Sequence, residues 1–156
     1  MLRLGLLIAV PIVVFDQLTK WWVLADLMDP PQAVAVTSFF NLVLVWNRGV
    51  SFGLFDSDSH WGPIVLSAFA LAISVVLVVW LRRVGSRLPA VAIGMVLGGA
   101  IGNVIDRMRF GAVVDFLDFH AFGYHWPAFN VADSAISIGV GLLLYDGLFE
   151  NRRKIR

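Results

Sequence analysis

Pro63-Ile64-Val65-Leu66-Ser67-Ala68-Phe69-Ala70-Leu71-Ala72-Ile73-Ser74-Val75-Val76-Leu77-Val78-Val79-Trp80-Leu81 carries no charge and stops at Arg82-Arg83. As a helix rising about 1.5 Å per residue it crosses about 30 Å of hydrocarbon. Three further apolar runs, at residues 4–24, 89–105 and 131–149, are long enough to do the same. Apolar residues make up 59% of the 156 and charged residues 15%, and the mean hydropathy is +0.82; these values exclude an ordinary soluble domain. The fold class is therefore mainly α: a single four-span membrane domain covering residues 1–156. With no cysteine, disulfides, thiolate nucleophiles and Cys-based zinc sites are excluded.

Basic residues orient the bundle. Arg3, Arg82, Arg83, Arg87, Arg152, Arg153, Lys154 and Arg156 flank the spans on one side, which the positive-inside rule makes cytoplasmic. Both termini are then inside. The first span begins like a signal peptide, but Asp16 and Lys20 interrupt it before any clean small-residue cleavage site, so it is expected to be retained. Outside fall residues 25–62 and 106–130, with Asp26, Asp29, Asp56 and Asp58, and with Arg48, Arg107 and Arg109 running against the rule. Ala33 to Phe55 is β-branched and aromatic with partial alternation, as is the shorter Gly111 to Phe119. Both predict strands of a small external β platform on the outer leaflet.

This topology gathers polar residues of distant segments at one level. Asp16 and Lys20, spaced i, i+4, share a face and can pair; Asn103 and Arg107 have the same spacing at the outer end of the third span. Asn47, Asp115, Asn130 and Asp133 join them from the platform and from the start of the fourth span. Gly94, Gly98 and Gly102 form overlapping GxxxG patterns that allow a neighbouring helix to approach closely. Ionisable groups at this depth are expensive unless paired, so the cluster reads as functional.

Asp16-Gln17-Leu18-Thr19-Lys20, Asn47-Arg48-Gly49-Val50-Ser51-Phe52-Gly53, Gly98 through Arg107, Gly111-Ala112-Val113-Val114-Asp115-Phe116 and Phe129-Asn130-Val131-Ala132-Asp133-Ser134 together resemble the bacterial lipoprotein signal peptidases (signal peptidase II). Ser51 departs from the alanine expected there, without touching the catalytic positions. The resemblance implies an aspartyl endopeptidase of the bacterial cytoplasmic membrane that removes signal peptides from diacylglyceryl-modified prolipoproteins, cutting just before the lipidated cysteine at the outer face. It implies Asp115 and Asp133 as the catalytic dyad. Asp16, Lys20, Asn47, Asn103, Arg107 and Asn130 are expected to bind substrate or shape the site. The expected partners are lipidated prolipoproteins and membrane lipids; no cofactor, metal or nucleic acid is expected. Two neighbouring carboxyl groups share a proton, so one can take a proton from water while the other donates. The positive end of the fourth helix favours an ionised Asp133 as base, leaving Asp115 as acid.

Each residue also has a structural reading. Asn130 and Asp133 fit a helix cap; Asp115 could be a solvated loop acid, with Asp118 its competitor; Asp16 and Lys20 could simply lock two helices; and Asp106 is expected to pair with Arg107. Two other classes use similar residues. A small membrane transporter would spread its polar groups across the bilayer, and a metal-dependent membrane protease would draw on His120, His125 and Asp118. His60 is isolated.

Overall fold

In lipid the usual pattern of burial inverts, because apolar side chains can face the bilayer while small and polar ones must find protein. The helices follow this rule. On α1 (Leu2–Trp22) the buried residues are Gly5, Ala9, Asp16 and Lys20, whereas Leu7, Val10, Phe15, Leu18 and Trp21 are exposed. The computed structural model describes residues 1–27, 30–49 and 61–153, with side chains to 149. Met28, Asp29, the motif residues Val50-Ser51-Phe52-Gly53, Asp56, Asp58, His60, Lys154 and Arg156 lie outside the described residues.

Beyond α1 come β1 (Val34–Ala35), β2 (Phe40–Asn47), α2 (Trp61–Arg83), α3 (Arg87–Phe110), β3 (Val113–Ala121), β4 (Tyr124–His125) and α4 (Val131–Arg153). All four expected apolar runs lie within helices long enough to cross a membrane. Two boundaries differ. The chain leaves α1 through a π-helical turn, Val23–Leu27, that hydropathy alone does not mark. The third helix runs to Phe110, past the expected end at 105, because Asp106 and Arg107 are taken into the polar cluster. It stops at Gly111, whose φ of 70° puts it in the left-handed region that glycine adopts freely.

The central helix is α3, which packs against all three others. Its glycines explain how. A Cβ on Gly94 would collide with the Gly5 carbonyl oxygen of α1, and one on Gly98 would lie 2.8 Å from the Ala9 carbonyl oxygen. On the opposite side Gly99 abuts the Ala132 carbonyl oxygen of α4. An apolar cluster of Ala9, Leu77, Leu81, Ala90, Ile93, Val96 and Leu97 fills the end nearer Arg82 and Arg83.

At the other end sits an antiparallel sheet of order β1-β2-β3-β4. Leu42 pairs with Leu117 but Val45 with Asp115, so β2 carries one extra residue, a β-bulge beside Asp115. With regular pairing Asn47 would sit opposite Ala112, on the face away from Asp115. The bulge sets Asn47 opposite Val113, diagonal to Asp115 on the same face.

Candidate active site

The start of α4 supplies the first part of the site. The Asp133 amide donates to Asn130 Oδ1 at 2.9 Å, and the Asn130 amide donates back to Asp133 Oδ2 at 3.3 Å. This is a capping box, satisfying two amides that the helix leaves unpaired. A third, on Ala132, donates to Asp16 Oδ1 at 2.9 Å. Asp133 is therefore a cap of α4 that is also a member of the polar cluster.

The remaining oxygens of the two carboxylates are held by amides. Asn103 Nδ2 donates to Asp133 Oδ1 at 2.7 Å. Asn130 Nδ2 donates to Asp115 Oδ1 at 2.7 Å, and Asn47 Nδ2 to Asp115 Oδ2 at 2.9 Å. Asn130 thus joins the two aspartates, touching one through its side chain and the other through its backbone. Asp115 is buried while Asp133 is only partly covered. Burial pushes the Asp115 carboxyl up to about 6, with the nearby Asp133 charge adding to the effect, against the opposing hydrogen bonds of Asn47 and Asn130.

Beneath the aspartates lies a buried ion network. Lys20 Nζ is 2.8 Å from Asp16 Oδ2, 2.8 Å from Asp106 Oδ2 and 3.2 Å from Asn103 Oδ1. Its three N–H donors match three acceptors, as a buried ammonium requires. The Asn103 oxygen also accepts from Asn130 Nδ2 at 3.2 Å, so Lys20 and Asn130 together turn the Asn103 NH2 toward Asp133. Asp106 accepts from Gln17 Nε2 at 2.9 Å and from the Val114 amide at 3.1 Å, which anchors the start of β3.

The expected Asp106–Arg107 pair is corrected by this network. Adjacent residues on a helix point about 100° apart, and Lys20 already claims the Asp106 carboxylate. Arg107 instead lies in the field of Asp133, Asp106 and Asp115, with its buried Nε making no hydrogen bond. Arg109 lies 4.8 Å over the Phe110 ring. Two contributors were missed in the sequence, Asp106 and Gln17. Gln17 also donates to Asp16 Oδ2 at 3.2 Å and the Gly102 carbonyl at 3.3 Å, and a Cβ on Gly102 would lie 2.6 Å from Asp16 Oδ2. The i, i+3 spacing of Asn103 and Asp106 was the available signal that Asp106 faces the cluster.

Asp118 belongs to a different set. It accepts from Asn41 Nδ2 at 2.9 Å, and His125 Nδ1 is 2.9 Å from both its oxygens. Burial opposes its charge, but the His125 and Asn41 contacts outweigh that and hold its carboxyl below the ordinary range. The His120 and His125 rings stack with centroids 4.8 Å apart. Among the described residues no three His, Cys, Asp or Glu side chains form a metal-holding group.

Fold and site define a multi-span membrane enzyme whose polar centre sits at one end of the bundle, under a small sheet. The family model for signal peptidase (SPase) II matches residues 8–149. The lipoprotein signal peptidase of Burkholderia vietnamiensis is 48% identical over 90% of this chain and 85% of its own. That of Rhodopseudomonas palustris is 46% identical over 94% and 92%. A bacterial membrane enzyme solved by the in meso method at 2.3 Å resolution is 34% identical, with a TM-score of 0.82 over 96% of this chain and 90% of its own. The chain belongs to the signal peptidase II family and is accordingly a peptide-bond hydrolase.

Proposed function

We propose that this chain is an aspartyl endopeptidase that removes the signal peptide from diacylglyceryl-modified prolipoproteins, with Asp115 and Asp133 as its dyad. The observation that carries the reading is the shared hold of Asn130 on both carboxylates, while Asp115 is buried and Asp133 remains partly open. The family and the names of its relatives support the substrate class. Cleavage falls just before the lipidated cysteine, at the outer face of the bacterial cytoplasmic membrane, with both termini cytoplasmic and the whole of 1–156 acting as one domain. The substrate's lipid stays in the bilayer while its peptide reaches the dyad through a lateral opening between helices.

Asp133, ionised at the positive end of α4, accepts a proton from water as the water oxygen bonds to the scissile carbonyl carbon. Asp115, whose raised pKa keeps a proton within reach, gives it to the carbonyl oxygen. Collapse of the tetrahedral intermediate then breaks the C–N bond, with the proton held on Asp133 passing to the leaving nitrogen and one hydroxyl proton of the intermediate returning to Asp115. Asn47 and Asn103 keep the carboxylates aimed, Asp16 and Lys20 hold them in place from below, and Arg107 donates to a substrate carbonyl.

Asp115→Asn and Asp133→Asn, assayed on a lipidated prolipoprotein, should each lose about a thousandfold or more in turnover. Near-normal cleavage by either would remove it from the dyad. The Asp115 pKa is higher folded than unfolded, so its contribution is destabilising and grows as pH rises from its ordinary value toward about 6. Asp115→Asn relieves that cost at neutral pH but turns an NH2 toward one of its two donors, Asn47 or Asn130, so its unfolding temperature, measured beside turnover, separates lost chemistry from lost fold.

A further inference from the structure

Between α1 and α2, on the side of the bundle remote from the two aspartates, α3 floors an open groove of about 690 Å3. Its α1 wall runs from Leu6 to Val14, its α2 wall from Leu71 to Arg82, and Gly98 lies in the floor. Apart from Ser74 and Arg82, every lining side chain is apolar. The Ser74 hydroxyl donates to the Ala70 carbonyl at 2.7 Å, so Arg82 is the group in the lining that offers hydrogen bonds outward. The α1 and α2 helices touch each other far less than either touches α3, which keeps the groove open.

Length and charge identify an occupant. From Leu71 to Arg82 the α2 wall covers about 17 Å at 1.5 Å per residue, close to the roughly 15 Å of one hydrocarbon leaflet. Arg82 then stands at headgroup depth beside Arg83, and among the described residues it forms no ion pair. The occupant must be apolar through one leaflet and anionic at its surface.

We propose that the groove holds one acyl chain of an anionic phospholipid of the cytoplasmic leaflet, with its headgroup phosphate against Arg82. The choice of leaflet rests on the orientation given under the proposed function. A signal-peptide helix fits less well, since its positively charged leading segment would be carried to the same depth as Arg82 and Arg83. An anionic headgroup is attracted there, as inner-leaflet lipids are to basic residues at the membrane surface. The lipid would supply the packing that α1 and α2 do not give each other.

Native mass spectrometry of the full chain, with dioleoylphosphatidylglycerol and dioleoylphosphatidylcholine in competition, reads chain and headgroup separately. Wild type should retain one phosphatidylglycerol in preference to phosphatidylcholine. Arg82→Gln should lower that preference about fivefold, the effect of one cation near an anionic surface. Val75→Trp, in the lining and exposed, fills the groove itself and should lower retention of both lipids about equally. An unchanged preference in Arg82→Gln, or unchanged retention in Val75→Trp, would overturn the proposal. Because the chain has no native cysteine, Val75→Cys bearing a photo-crosslinker gives a second measurement in membranes. Capture of phospholipid supports the proposal, and capture of a signal peptide in its place overturns it. Selective phosphatidylglycerol retention by a chain that cleaved no prolipoprotein would leave the groove standing and defeat the peptidase reading alone.

Discussion

Gly94 and Gly102 belong to one row of glycines on α3, yet they meet different things. Gly94 faces the backbone oxygen of Gly5 at the apolar end of the bundle, and Gly102 faces the carboxylate of Asp16 at the polar end. Around the first, aliphatic side chains pack contacts that lipid could largely replace, so association there depends on close backbone approach. Around the second, Asp16, Lys20, Asn103, Asp106, Asp115 and Asn130 are all buried, and losing one strands the charge or amide of another. The same helices are thus held loosely at one end and exactingly at the other. Exacting polar partnership is concentrated where the proposed chemistry needs it.

The strongest challenge to this contrast is Lys20→Met, which leaves the Asp16 and Asp106 carboxylates buried without their cation. It should cost about 3–5 kcal/mol in reversible unfolding and abolish turnover. Ile93→Ala, in the apolar cluster, should stay near the low end of the roughly 2–5 kcal/mol range for such truncations. Equal losses would dissolve the distinction between the ends.

Next in size is the pair of glycines. Gly102→Ala pushes the Asp16 carboxylate away and should lower turnover about a hundredfold through misplacement of the site. Gly94→Ala should lower the unfolding temperature while turnover per folded molecule stays close to wild type. If the two variants exchanged these phenotypes, the row would have to be reinterpreted as packing alone.

Arg107→Ala should lower turnover about tenfold, the loss of one charged hydrogen-bond donor, whereas Arg109→Ala should stay within about twofold of wild type. Matched losses, measured on equally folded enzyme, would mean that bulk charge matters and that placement does not. The smallest effect is that of pH. In the proposed mechanism Asp115 acts while protonated, and its proton is lost as pH climbs through about 6, so kcat/KM should fall about fivefold over the first unit above that value. A flat profile there would transfer the acid role away from Asp115.

Much of this was legible in the chain. Long uncharged runs have one physical solution in a bilayer, so the spans were readable, and i, i+4 spacing exposed the Asp16–Lys20 and Asn103–Arg107 faces. The fate of Asp106 was not readable, because sequence adjacency suggested Arg107 while the acceptor set of Lys20 depends on how α1 docks against α3. Gln17 was hidden for the same reason: it lies beside the Asp16–Lys20 face and, apart from Asp16, gains its partners across the helix interface. The platform was foreseen as strands, but its register was not, since pairing depends on a bulge that alternation over Ala33 to Phe55 does not reveal.

Past that bulge β2 behaves like a reading frame. Deleting Trp46, which lies between Val45 and Asn47, would set Asn47 opposite Val114 and rotate everything downstream by half a turn, taking the Asn47 amide off the Asp115 carboxylate although every polar residue of the site remained in the chain. Deleting Val43 or Leu44 instead removes the bulge and leaves Val45 opposite Asp115 and Asn47 opposite Val113. From Val45 to Asn47, variation among natural or designed sequences is expected in letters and barred in number.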